Sequence, residues 1–320
     1  METELDLLFQ ELNQATKSYR SCDLPGFAPE AAKIYHWKSW PVSVVGGKGF
    51  RIKSDNQFES VFWIEPDSFN SDVLSDTVAR LHWCVKNIDL ASASVITKLA
   101  TILRGLLESS NFSLLGISVL GHNARALELF QQAGAKFIVS NVWLYRRAGK
   151  PPQIGSLSEY KLQWNNLNVA PLSSNEIAEA MNLAEDCFFD DRFSLDVNIG
   201  RKAVSNRFKA VIRNGLGGHL GEHVITARKD GYLAGLVFFG TNASKPPIAG
   251  NWFTMLINPS DRGKHLGERL FAEAISKLPQ GPAEWFYKCT LQNFASFEAS
   301  RALGFRIGAI AHDLHYWRRG

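Results

Sequence analysis

The sequence predicts an α/β protein built as a tandem repeat of one domain, and three observations carry that prediction. First, Ala148-Gly149-Lys150-Pro151-Pro152-Gln153-Ile154-Gly155-Ser156 stands near the midpoint of 320 residues. Its prolines and glycines deny both helix and central strand, so it reads as a linker. Second, Asn123 and Gly134 in the first half are each followed 170 residues later by the same residue type, Asn293 and Gly304. Third, each half closes on an aromatic and a double arginine, Leu144-Tyr145-Arg146-Arg147 and Tyr316-Trp317-Arg318-Arg319. A fixed period of this kind is the mark of a repeated unit, and a chain this long divides naturally in two. The expected bounds are 1–149 for the first domain, 150–156 for the linker and 157–320 for the second.

Each half follows the same order of elements. In the first, a strand over His82 to Ile88 leads to a helix with Val95, Leu99, Ile102 and Leu106 on one face. The apolar run Leu114 to Leu120 reads as a buried strand, followed by a helix after Asn123 with Ala126, Leu127 and Phe130, then a turn at Gly134 and a closing strand. In the second, a strand over Asn251 to Asn258 leads to a helix with Leu266, Leu270, Ala274 and Leu278 on one face. A strand over Trp285 to Leu291, a helix after Asn293 and a turn at Leu303-Gly304-Phe305 complete the unit. Trp83 and Trp252 keep nearly the same spacing, so the repeat covers most of each half.

Composition narrows the function classes. Hydrophobic residues make up 45% and charged residues 21%, as in ordinary globular protein. A net charge of +4 is too small to argue for a nucleic-acid partner, and the double arginines read as solvated strand ends. The first residues are acidic where a signal peptide needs positive charge. No run approaches the roughly 18 apolar residues of a membrane span. A cytoplasmic protein without membrane or nucleic-acid partners is expected; the oligomeric state is left open. Cys22, Cys84, Cys187 and Cys289 lack metal or disulfide spacing, and His219 and His223 have no carboxylate at ligand spacing, so no metal is expected. The glycine run Asn214 to Gly221 follows a helix and precedes the strand His223 to Ala227, the reverse of a dinucleotide fingerprint; it reads as a helix cap. No Gly-x-Ser-x-Gly elbow anchors a hydrolase triad.

The chemistry concentrates in one connection, Pro259-Ser260-Asp261-Arg262-Gly263-Lys264-His265-Leu266-Gly267. It joins a strand to a helix start, where unsatisfied N–H groups and the positive dipole end suit phosphate oxygens. Gly263 and Gly267 let a ligand approach the backbone, and Arg262 and Lys264 supply charge. The run lacks Gly-x4-Gly-Lys-Ser/Thr and is no ATP loop. It resembles the coenzyme-A loop of the GNAT family of N-acyltransferases, Arg/Gln-x-x-Gly-x-Gly/Ala. Arg262 and Gly267 match, and His265 stands where the pattern has its middle glycine. Pro259, Asn293 and the Leu303-Gly304-Phe305 turn resemble the same family.

The resemblance implies a tandem of GNAT-like α+β domains, each a mixed, mostly antiparallel sheet flanked by helices. Acyl-CoA would bind in the second, on Arg262, Gly263, Lys264, His265, Leu266, Gly267 and Asn293. The backbone of Met255 and Ile257 would hold the pantetheine arm in a gap between splayed strands. The aligned loop of the first half, Leu90-Ala91-Ser92-Ala93-Ser94-Val95-Ile96, has no glycine, arginine or lysine. One active site per chain is expected.

A second resemblance concerns the acceptor. Cys187 to Asp196, with Arg192, Phe193 and Asp196 in an Arg-Phe-x-x-Asp pattern, is similar to the acceptor side of the dTDP-fucosamine acetyltransferases and related nucleotide-amino-sugar N-acyltransferases. His36-Trp37-Lys38-Ser39-Trp40 resembles the start of the same family. This implies transfer of an acyl group to the amine of a dTDP-linked amino-dideoxy sugar for cell-surface or lipopolysaccharide synthesis. The donor would be acetyl-CoA or 3-hydroxybutanoyl-CoA. The family's general-acid tyrosine aligns with Ser300; Tyr287 and Tyr316 are substitutes if they face the cleft. Other tandem GNAT enzymes, such as mycothiol synthases or aminoacyl transferases, and a noncatalytic acyl-CoA or nucleotide-sugar sensor are the alternatives.

Overall fold

The computed structural model describes residues 48–54, 58–85, 88–147, 154–155, 157–185, 187, 191–219, 221–241, 249–277 and 284–318. In the first half these form β1 (Lys48–Ser54), β2 (Phe58–Pro66), α1 (Ser68–Leu74), β3 (Val78–Val85), α2 (Ala93–Glu108), β4 (Leu114–Leu120), α3 (Ala124–Gln132) and β5 (Lys136–Arg147). The second half forms β6 (Lys161–Asn166), α4 (Ser174–Glu185), α5 (Arg201–Leu216), β7 (His223–Lys229), β8 (Tyr232–Thr241), β9 (Ala249–Ile257), α6 (Leu266–Lys277), β10 (Glu284–Thr290), α7 (Phe294–Ala302) and β11 (Arg306–Trp317).

The chain divides into two compact units, Met1–Asn141 with Ala309–Gly320, and Val142–Gly308. These bounds differ from 1–149 and 157–320 in where the closing strands go. Both β5 and β11 are 12 residues long, about 40 Å of extended chain. The second part of β5, from Val142, belongs to unit 2, and β11 from Ala309 belongs to unit 1. A strand pattern in sequence reveals which residues are extended but not which strand they pair with, so the exchange was invisible there. Of the expected linker 150–156, only Ile154 and Gly155 fall among the described residues.

The exchange explains Arg146, which is not a solvated end, whereas Arg318 is exposed as expected. Arg146 is buried and its Nε donates to the Leu303 carbonyl at 2.7 Å, closing the C-terminus of α7 within unit 2. Arg318 donates from its guanidinium to the Ser110 carbonyl at 2.6 Å and from its backbone to Ser113 at 2.9 Å, both in unit 1. Helix-end carbonyls lack intrahelical partners, and a cation there also meets the negative end of the dipole.

Unit 1 orders its strands β1-β2-β3-β4-β11, antiparallel except for the parallel β3–β4 pair. Its core joins Phe62 and Ile64 of β2, Ile117 and Val119 of β4, Leu129 and Phe130 of α3 and Tyr316 of β11 to the inner face of α2. That face is Ile96, Leu99, Ala100, Leu103 and Leu107. The stripe expected from sequence was Val95, Leu99, Ile102 and Leu106, and Ile102 is exposed. Both stripes obey helical spacing; packing, which also admits Ala100, chose the neighbouring one.

Unit 2 orders its strands β5-β10-β9-β8-β7-β6, antiparallel along β9-β8-β7-β6 and parallel between β9 and β10. Strand alternation sends Ile225, Val237, Phe239 and Trp285 to the face packed by α6, through Leu266, Leu270, Phe271 and Ala274. Val224, Leu236, Phe238 and Leu256 go to the other face, against Leu183 and Ala184 of α4 and Ile212 and Leu216 of α5. Both units are thus mixed, mostly antiparallel sheets flanked by helices. Among the described residues, no helix is long and apolar enough to cross a membrane.

One glycine sets the approach of α5 to β8. A Cβ on Gly215 would lie 2.4 Å from the ring of Phe238, which is fully buried. Alanine favours helix over glycine by about 1 kcal/mol, but overpacking a rigid core costs about 1–3 kcal/mol. We expect Gly215→Ala to destabilise unit 2. In α2, a Cβ on Gly105 would meet nothing within 4 Å, so Gly105→Ala is expected to stabilise by about 0.5–1 kcal/mol. Thermal and urea unfolding of the two variants should move in opposite directions.

Candidate functional site

The site begins where two parallel strands part. β9 and β10 pair only through Ala249 with Glu284, Gly250 with Trp285 and Asn251 with Phe286. Beyond these, β9 runs on to Ile257 and β10 to Thr290 without pairing to each other. The register of β9 on β8 also slips by one residue, from Thr254 opposite Phe238 to Trp252 opposite Phe239, a bulge at Phe253 that turns the strand.

The ladder to β8 then decides which way the backbone faces. The Asn258 N–H donates to Ala234 at 2.8 Å, so that pair is hydrogen-bonded. Antiparallel pairs alternate, so Leu256 and Thr254 also bond to β8, while Met255 and Ile257 turn their N–H and C=O groups into the gap toward β10. These are the two residues expected to hold a pantetheine arm. The Ile257 carbonyl accepts weak contacts from Cys187 Sγ at 3.7 Å and Arg262 Nε at 3.4 Å. Among the described residues, no side chain bonds the Met255 backbone groups.

The loop follows directly. Asn258 Oδ1 takes the Ser260 N–H at 3.1 Å and caps a short 3-10 turn over Pro259–Asp261. Gly263 has φ +75° and His265 has φ +59°, so the chain kinks twice into the left-handed region before α6 begins at Leu266. Glycine adopts that region freely, whereas a side chain costs about 1–2 kcal/mol there. His265 therefore occupies a glycine conformation at the position where the resemblance has glycine. Its Nδ1 lies 3.1 Å from the Glu268 carboxylate and the ring is exposed. Gly267 faces β9: a Cβ there would meet Met255 Sδ at 3.1 Å.

Asp261 was not singled out in the sequence, yet it is the best-connected side chain of the loop. Fully buried, it accepts from Tyr160 Oη at 2.8 Å, Tyr232 Oη at 2.9 Å, Ser260 Oγ at 3.2 Å and Lys264 Nζ at 3.2 Å. Burial pushes its carboxyl up, but the bonds from Tyr160, Tyr232 and Lys264 outweigh that and hold it below the usual carboxylate range. Lys264, whose charge the sequence reading gave to phosphate, thus also pairs with Asp261 while its side chain stays partly exposed.

Asn293 caps α7, its Oδ1 taking the Ser296 N–H at 3.1 Å. Asn123 caps α3 in the same way through Ala126, so this asparagine serves folding in both units. The Ser300 hydroxyl is buried and donates to the Ser296 carbonyl at 2.8 Å. Tyr287 is the first residue of β10 past its last pairing with β9. Its hydroxyl bonds Ser296 Oγ and its ring meets Phe271 edge-on at 5.6 Å. Burial, with the neighbouring Cys289, pushes its phenol well above the ordinary range despite the Ser296 bond. Tyr316 belongs to the core of unit 1, beside Gly134.

The acceptor candidates form a compact turn before α5. Asp191 accepts the backbone N–H of Phe193 and Ser194 and pairs with Arg207 of α5. The Phe193 ring is buried between the guanidinium groups of Arg192, 4.9 Å away, and Arg207, 4.1 Å away. Asp196 is buried and accepts the Asn198 N–H and amide, each at 2.9 Å. Of the expected trio, two are interior and Arg192 is half-buried. His36 to Trp40 lies outside the described residues.

Unit 1 has the same parting strands and closes them. β3 and β4 pair from Val78 with Leu114 to Leu81 with Ile117, then stop. There Trp83 Nε1 donates to the Ser118 carbonyl at 3.0 Å across the opening, and its ring packs edge-on against Phe130 at 5.2 Å. The start of α2 is capped by Ser92, whose Oγ accepts the Val95 N–H.

No family model matches the chain, and no curated protein matches it. Solved structures do. A GCN5-related N-acetyltransferase from Sphaerobacter thermophilus aligns with a TM-score of 0.58 at 11% identity, covering 92% of this chain and 88% of that one. A tandem GNAT protein from the clavulanic acid biosynthesis pathway aligns at 0.55 and 14%, covering 98% and 95%. A GNAT-family acetyltransferase from Colwellia psychrerythraea aligns at 0.50 and 12%, covering 96% and 97%. The chain thus has the tandem GNAT fold. Among the described residues, no three His, Cys, Asp or Glu side chains stand together as a metal cluster.

The left-handed histidine can be tested directly. Both His265→Gly and His265→Ala lose the bond to Glu268, but only glycine relieves the backbone. The glycine variant should be more stable than the alanine variant by about 1 kcal/mol, read from thermal midpoints.

Proposed function

We propose that unit 2 is a coenzyme-A-dependent N-acyltransferase, and that it transfers a short acyl group to the amine of a nucleotide-linked amino sugar. The observation that carries the first part is the gap between β9 and β10, with Met255 and Ile257 turned into it and the doubly kinked loop at its end. An amide-bearing arm can complete the interrupted ladder as a third strand would, and the start of α6 can receive its pyrophosphate. Arg262, Gly263, Leu266 and Gly267 supply the approach; Lys264 acts through Asp261, and Asn293 through the helix that it caps. Unit 1, bridged by Trp83 and lacking the loop glycines, serves as scaffold.

In the reaction, the acceptor amine attacks the thioester carbonyl. A C–N bond forms, a backbone N–H in the gap steadies the oxyanion, and the C–S bond breaks as the sulfur takes a proton. Solvent removes the proton lost by the amine. A thiol with a pKa of about 8.5 is a fair leaving group, so a weak acid suffices. Ser300 already gives its proton to a helix carbonyl. Tyr287 stands at the point where the strands part, with its hydroxyl against the Ser296 hydroxyl rather than a helix carbonyl, and is the candidate acid to test. Support for a phosphorylated acceptor comes from α5, which carries Arg201, Lys202 and Arg213 beside Arg207 and Lys209, the last two paired with Asp191 and Glu185, and no acidic residue. Arg192 extends that charge from the preceding turn. Acetyl-CoA and 3-hydroxybutanoyl-CoA are the donors to test.

The deciding experiment measures thiol release over a matrix of acyl-CoAs and dTDP- or UDP-amino sugars, with peptide amines and glucosaminyl compounds as competing acceptors. Release on none of them, with tight acyl-CoA binding, would make the protein a sensor. Gly267→Val adds bulk against Met255 and should abolish acyl-CoA binding in calorimetry; retained affinity would reject the loop assignment. Tyr287→Phe should lower kcat about 100-fold, within the range of general-acid contributions, while Ser300→Ala should change it by less than about threefold. The reverse order would return the role to Ser300.

A further inference from the structure

We infer that Asp261 is the positioning residue of the donor loop, acting through Lys264, Tyr160 and Tyr232 rather than by touching the donor. This rests on the reading of that loop as the coenzyme-A site. The four groups converge from separate parts of unit 2. Tyr160 precedes β6, Tyr232 opens β8, and Ser260 and Lys264 lie within the loop on either side of Asp261. Their meeting point is a carboxylate with no exposed surface. A buried charge left unpaired is costly, so the loop has strong reason to keep the arrangement that satisfies it.

The placement of Lys264 shows what is held. It lies between the two left-handed residues, Gly263 at +75° and His265 at +59°. A lysine pointing to solvent would leave those kinks unrestrained. Here its Nζ is drawn 3.2 Å from Asp261 Oδ1, so the side chain fastens the loop at its midpoint. His265 shows the need for restraint, since its conformation is one that an unrestrained side chain leaves. The two tyrosines fix Asp261 in turn, each tying it to a different strand neighbourhood of the sheet. The loop thus reaches its phosphate-ready shape before any donor arrives, and preorganisation of this kind appears in affinity.

The test compares wild type, Asp261→Asn and Tyr232→Phe. Asparagine keeps the size but removes the charge that draws in Lys264; the phenylalanine variant keeps the carboxylate and loses one strut, which guards against a variant that fails to fold. In the donor-free protein, amide hydrogen exchange at 262–267 should quicken at least tenfold in Asp261→Asn and less in Tyr232→Phe. The acyl-CoA Kd should rise about tenfold in Asp261→Asn, with kcat at saturating donor within twofold of wild type. Unchanged exchange, or a fall in kcat with Kd unmoved, would overturn the inference. If wild type binds no acyl-CoA, the proposed function fails, and the exchange measurement alone decides whether Asp261 holds the loop.

Discussion

A parallel pair of strands that separates partway leaves backbone donors and acceptors facing each other across a space too wide for hydrogen bonds. Those groups must find partners, because burying them unsatisfied costs about 1–3 kcal/mol each. The chain meets this constraint twice and resolves it differently. In unit 1 the indole of Trp83 reaches across to the Ser118 carbonyl and seals the opening. In unit 2 the Met255 groups turn into the gap, and among the described residues the Ile257 carbonyl receives long contacts from Cys187 and Arg262. The same architectural irregularity is bridged by a side chain in one unit and left unbridged among the described residues in the other.

What the sequence revealed and what it hid follow from the range of the forces involved. β4, predicted over Leu114 to Leu120, has those bounds, and β10 is shifted by only one residue. Alternation, apolar runs and Asn caps are properties of neighbouring residues, so they are readable in order. The exchange of β5 and β11 depends on pairing across more than 100 residues, and nothing local encodes it. Arg146 was misjudged for the same reason: it looks solvated until the helix end that it closes is in view, while Arg318 is exposed as expected. The stripe on α2 held at Leu99, with Val95 and Leu106 packed at the core's margin, and failed at Ile102, because two adjacent apolar stripes compete and only tertiary contact separates them.

The loop illustrates an intermediate case. Gly263 and Gly267 were legible because glycine is a statement about backbone. Asp261 was not, since an aspartate before an arginine and a lysine looks like an ordinary surface charge. Its signal would have been the two tyrosines, yet Tyr160 and Tyr232 lie 101 and 29 residues away from it. His265 was legible as an irregularity; the structure adds that it keeps the glycine's conformation while losing the glycine's ease. Here a left-handed path is held by a residue other than the glycine that would adopt it most easily.

That distinction separates the donor side from the acceptor side. A donor cradle made from strand divergence, amide direction and two left-handed turns is built from backbone, and very different side chains can maintain it. An acceptor site has to be built from side chains, because discrimination among amines requires particular charges and shapes. In the turn before α5, Phe193 and Asp196 are used internally, one between two guanidinium groups and the other in a turn with Asn198. Under the proposed function, any contribution they make to an acceptor is indirect, through the placing of Arg192 and Arg207 around the Phe193 ring. Selectivity on that side should follow the geometry of those cations more than the identity of the buried pair.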